Sequence, residues 1–83
     1  MQTFTKRVLI EPGFNPAFFF TKIYTIKGVR FHVSVIDMDN LNYNFNIELR
    51  SLEWKIINAP ELPDWIINIE EQLQEIILEK MLH

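Results

Sequence analysis

Few residues in this chain of 83 could do chemistry. Its two histidines are His32 and His83, and it has no cysteine. A metal site needs several convergent ligands, and no second histidine or cysteine stands at a ligand spacing from His32, so neither a metal nor another cofactor is expected. The run Asp37-Met38-Asp39-Asn40 begins like a calcium loop, but Leu41 stands where the fifth position needs an oxygen and no suitably placed glycine follows. It reads as a turn. His32, Ser34 and Asp37 have the residue types of a nucleophilic triad, yet the first two project in a row from one strand and nothing supplies a nucleophile elbow or an oxyanion hole. Glu70, Glu71, Glu75 and Glu79 read as the solvated face of a helix, where a carboxylate has no reason for a shifted pKa. Gly13 and Gly28 are the only glycines, which excludes a glycine-rich phosphate loop. No catalytic residue is assigned, and a non-enzymatic chain is expected.

Charge points to binding rather than to a reaction. Residues 1–36 carry five basic residues against Glu11 alone, net +4, while residues 37–83 carry three basic against ten acidic, net −7. Arg30, His32 and Lys55 can be drawn, with Phe19, as a small single-strand nucleic-acid platform on the outer face of a sheet. Glu48 and Glu53 on that same face oppose phosphate, so this is the weaker alternative. The longest uninterrupted apolar run is Ala17 to Phe20, far short of the roughly 20 residues that span a bilayer. No membrane segment is expected, and the absence of cysteine fits a cytoplasmic setting.

The elements that must position these residues follow from periodicity. Val29, Phe31, Val33 and Val35 alternate with Arg30, His32 and Ser34; Tyr43, Phe45, Ile47 and Leu49 alternate with Asn44, Asn46 and Glu48; Leu52, Trp54 and Ile56 alternate with Glu53 and Lys55. Strands are expected over 17–26, 29–37, 42–50 and 52–58. Residues 3–11 form a further strand or an arm, because Lys6 interrupts the stripe of Phe4, Val8 and Ile10. From Pro63 the period lengthens, and Trp65, Ile66, Ile69, Leu73, Ile76 and Ile77 fall on one side of a helix over 63–81. The fold class is therefore α+β, a single domain over 1–83: an antiparallel β-meander of four to five strands with one C-terminal amphipathic α-helix packed across one face.

A hairpin loop at Lys27-Gly28 places Ile26 opposite Val29, Tyr24 opposite Phe31 and Phe20 opposite Val35. A loop over Met38, Asp39 and Asn40 pairs Val35 with Tyr43, and a loop at Arg50-Ser51 pairs Trp54 with Ile47. These registers send Phe18 and Phe20 into the core and leave Phe19 outside, opposite Ile36, with Ile23 opposite His32. One helix covers one face only. The exposed apolar candidates for an interface are thus Phe19, Ile23 and Ile36 on the sheet and Ile67, Leu78 and Leu82 on the second stripe of the helix. The expected function is a small non-catalytic protein-interaction or regulatory module that self-associates, its partner a second copy or another protein.

Overall fold

The computed structural model describes residues 2–57 and 59–82, so Asn58, the expected end of the last strand, and His83 lie outside the described residues. Five strands follow one another in space as in sequence, β1 (Gln2–Arg7), β2 (Ala17–Thr25), β3 (Gly28–Ile36), β4 (Asn42–Arg50) and β5 (Glu53–Ile57). Every neighbouring pair is antiparallel and the order is β1-β2-β3-β4-β5. Two helical segments close the chain, α1 (Asp64–Ile67) and α2 (Glu70–Met81). The fold is the expected α+β meander with a C-terminal helix on one face.

Period-two alternation does what it predicts. Phe18, Phe20, Phe31, Val33, Val35, Phe45, Ile47 and Trp54 are buried on the inner face, and Ile66, Ile69, Leu73 and Ile77 are buried against them. Phe4 stacks on Phe20 with ring centroids 4.6 Å apart, and Phe31 meets Trp54 edge-on at 5.4 Å. At the opposite end Trp65 stands edge-on to Phe14 at 5.0 Å and to Tyr43 at 6.0 Å, sealing the core under α1.

Four expectations need correction. The first strand ends at Arg7 and not at residue 11, because Val8 makes a last ladder bond to the carbonyl of Pro16 at 3.1 Å and the chain then turns through Gly13 at φ 89°. It is an edge strand, and no arm crosses the outer face among the described residues. The helix is bent rather than continuous over 63–81: Ile69 takes φ −105°, ψ 13° and its N–H bonds back to Ile66 at 3.2 Å, a tightened turn that lets Ile66 and Ile69 both enter the core.

The other two corrections concern register. Between β3 and β4, Val35 pairs with Tyr43 as expected and Asn40 adopts φ 65°. At the other two hairpins each pairing is displaced by two residues, to Phe20↔Val33 and Ile47↔Ile56. Turn chemistry decides both. Thr25 Oγ1 accepts the N–H of Lys27 at 3.2 Å and donates to the carbonyl of Gly28 at 2.8 Å, which puts Ile26-Lys27 in the turn and Gly28 after it at φ 125°. Ser51 and Leu52, at φ 52° and 70°, form a two-residue turn of the left-handed kind. A two-residue displacement keeps every side chain on its expected face. It moves the strand ends outward, however, so Tyr24, Ile26, Leu49 and Leu52, expected in the core, are exposed.

The helix crosses the sheet diagonally between two fixed ends. Near its start, the Glu70 carboxylate accepts the N–H of Ile56 on β5 at 2.7 Å. Near its end, Lys80 Nζ lies 5.2 Å from the Phe4 ring centroid on β1. Removing the Glu70 acceptor leaves a part-buried strand N–H unpaired, so Glu70→Ala is expected to lower the unfolding free energy by about 1–3 kcal/mol. Glu71→Ala, on the exposed side, is expected to change it by less than about 0.5 kcal/mol. Urea denaturation measures both, and equal losses at the two positions would refute the anchoring role.

Candidate interaction surfaces

Residues with the types of a catalytic triad are engaged elsewhere. Ser34 Oγ donates to Asn42 Oδ1 at 3.1 Å. The Asp37 carboxylate organises its own turn, with Oδ1 accepting the N–H groups of Asp39 at 2.8 Å and Leu41 at 2.9 Å and Oδ2 accepting the Tyr43 hydroxyl at 3.2 Å. Among the described residues no three His, Cys, Asp or Glu side chains are grouped so as to hold a metal ion. No helix among them is long and apolar enough to cross a membrane.

The outer sheet face carries polar rows read across the strands. One runs Thr3, Thr21, His32, Asn46, Ile57; the next runs Ile23, Arg30, Glu48, Lys55. Arg30 and Lys55 therefore flank an acidic residue. Lys55 Nζ is 3.0 Å from Glu53, and that hydrogen bond raises its pKa above the ordinary lysine value. Glu48 in turn meets Arg50 at 3.4 Å, while Arg30 Nε is buried with no hydrogen-bond partner. The three basic candidates share a face, but two carboxylates already neutralise much of it.

The six apolar candidates do not form one surface. Phe19, 50% exposed, lies opposite Ser34, and Ile36, equally exposed, is its diagonal neighbour. Ile23 is half-buried two rows away beside Arg30. Ile67, Leu78 and Leu82 are exposed on the helical layer, across the sheet from those three.

A larger apolar surface was hidden by the expected registers. The β3–β4 ladder stops at Arg30↔Glu48, although β3 begins at Gly28 and β4 continues to Arg50. The sheet thus forks into two hairpin tips, with a groove of about 770 Å³ lined by Ile26, Val29, Leu49, Trp54 and Met81. Lys27, Arg30, Arg50 and Glu48 stand at its rim. Ile26 on one tip is fully exposed and Leu52 on the other is 93% exposed. Tyr24 and Leu82 add exposed apolar area at the same end, where β2 turns and α2 finishes. The local signal for this surface is the turn chemistry at Thr25 and at Ser51-Leu52, which sets how far the tips reach.

The two sheet edges also differ. On β5 the Glu70 carboxylate occupies the N–H of Ile56. On β1 every residue but Phe4 is exposed, and no described element lies alongside.

Desolvation, and then the neighbouring Asp37 carboxylate, raise the Tyr43 pKa above the ordinary 10.0. The neutral phenol is the form that donates to Asp37, so its contribution to stability is present below the ordinary value and is lost as pH rises through the raised one. An absorbance titration of tyrosinate is expected to show a component ionising above pH 10.0 that disappears in Tyr43→Phe and moves down in Asp37→Asn. No change in either variant would contradict the assignment. Comparison of the chain with protein-family models, with curated proteins and with solved structures finds no match.

Proposed function

We propose that this chain is a small non-catalytic protein-interaction module that holds a partner protein on the apolar tips of its forked sheet. The observation that carries the reading is Leu52. A bulky side chain at φ 70° costs on the order of 1–2 kcal/mol relative to glycine, and here it is also left in water. Asparagine and glycine are the usual occupants of such a turn. A residue that is unfavourable for the backbone and buries nothing in its own chain is explained by a contact outside it. Ile26 on the other tip is likewise left in water, though not at positive φ, and the groove between them supplies Leu49, Trp54 and Met81 as its floor.

Lys27, Arg30 and Arg50 outnumber Glu48 around the groove, which suits a partner that presents an apolar anchor with acidic residues beside it. The alternative of nucleic acid on the outer face draws on Arg30, His32 and Lys55, but the Glu53 and Glu48 contacts and the single exposed ring of Phe19 support it less. A cytoplasmic setting fits a chain without cysteine.

Two measurements test the reading together. Ser51→Asn combined with Leu52→Gly is expected to raise stability by about 1 kcal/mol, showing that the native turn is retained against folding. A photo-cross-linking side chain at position 26 or 52 is expected to capture protein in the native cell, and the same group at Asn44, exposed on the outer face, is not. Equal capture at all three positions removes the reading.

A further inference from the structure

We propose that β1 pairs with β1 of a second copy, antiparallel about Thr5, joining two five-stranded sheets into one of ten strands. This goes beyond the tip surface and does not use it.

The phase of the β1–β2 ladder shows what the open edge offers. Val8 donates to Pro16 in the register that continues Arg7↔Ala17, so Val8 and Pro16 are a hydrogen-bonded pair. In an antiparallel ladder such pairs alternate with non-bonded ones. Lys6, Phe4 and Gln2 therefore direct their N–H and C=O groups at β2, and Thr3, Thr5 and Arg7 direct theirs outward. None of these outward groups has a hydrogen-bond partner among the described residues beyond the strand. The contrast with the capped N–H of Ile56 on β5 is direct, since natural sheets ordinarily blunt an edge of this kind.

The occupant is chosen by register. With Thr5 opposite the partner's Thr5, Thr3 falls opposite the partner's Arg7, and each of these pairs exchanges both backbone bonds. On the inner face Phe4 then lies opposite the partner's Lys6. That lysine approaches the groove lined by Phe4, Lys6, Ile76, Glu79 and Lys80, in which Glu79 supplies the carboxylate and Lys80 already lies over the Phe4 ring. An inward lysine ordinarily guards an edge against pairing, but in this register the two Lys6 side chains exchange places and each stands beside a Glu79. Displacing the strands by two residues one way sets Lys6 against the partner's Lys6, a like-charge pair. Displacing them the other way sets Lys6 against the partner's Gln2, beside a hollow that Lys22 and Lys80 line and no carboxylate does. On the outer face the centred register sets threonine against threonine, a favourable cross-strand pair.

The chain has no cysteine, so Thr5→Cys introduces a single thiol. Hydrogen-bonded residues in an antiparallel pair have Cα atoms about 5.5 Å apart, within disulfide range. Mild oxidation is expected to give a disulfide-linked dimer from Thr5→Cys and little from Asn44→Cys. Thr5→Pro removes only an outward N–H, so the monomer is expected to fold normally by circular dichroism. In sedimentation equilibrium its mass is expected to fall from twice the 10.0 kDa chain mass to that of one chain. Ile26→Glu with Leu52→Glu is expected to leave the dimer mass unchanged. A wild type that stays monomeric at millimolar concentration overturns the proposal. So does a dimer indifferent to Thr5→Pro, in which case the copies meet at some other surface.

Discussion

Phe20 sits near the middle of the inner face, stacked on Phe4 from β1 and paired across β2–β3 with Val33, and its complete burial requires something to lie over it. A chain of this length has one helix to spend on that task. A sheet five strands wide is about as broad as such a helix is long, so α2 must run obliquely and be held at both extremes. Glu70 on β5 and Lys80 over Phe4 are those two attachments. The bend at Ile69 follows, since it lets Ile66 and Ile69 both enter the core while α2 keeps its oblique path.

What the helix leaves uncovered defines the surfaces available for function. The outer face is solvated and its charges are largely matched, with Lys55 held by Glu53 and Glu48 by Arg50. The apolar excess is concentrated where the hairpins outrun α2. Its composition is not the scatter of single leucines that any small protein exposes. Two aliphatic residues occupy turn positions, one at positive φ, and the strands beneath them have parted company.

Periodicity made the faces legible from sequence and turn chemistry decided everything else. Val35↔Tyr43 could be read because Asp37 and Asn40 announce their turn through an Asx geometry and a left-handed residue. Lys27-Gly28 was misleading because glycine serves a hairpin equally well in the turn or just after it, and the choice was made by the Thr25 hydroxyl. Ser51-Leu52 was missed because leucine is a poor occupant of its conformation, a local rule broken where function is now inferred. Both slips were by two residues, so the core survived while the exposed ends changed. Glu70 was read as one more solvated carboxylate, since nothing in a helical repeat reveals that its first turn abuts a strand edge. Phe19 kept its place outside, and the surface that replaced it as the leading candidate was built from residues assigned to the core.

The tips and the open edge lie on different parts of the molecule, and their relation has a functional consequence. Gln2 pairs with Lys22 close to the β2–β3 tip, so β1 begins at the forked end and finishes at the other. A two-fold axis through Thr5 reverses the second copy and sets the two forks at opposite ends of the ten-stranded sheet. In the proposed dimer each fork is open to its own partner without crowding from the other. A dimer of this form is bivalent, and a weak contact at each tip gains strength whenever both partner sites are joined in one assembly. The modest size of a single groove is no obstacle to useful affinity under that geometry, because the second contact is made at the effective concentration set by the rigid sheet between them.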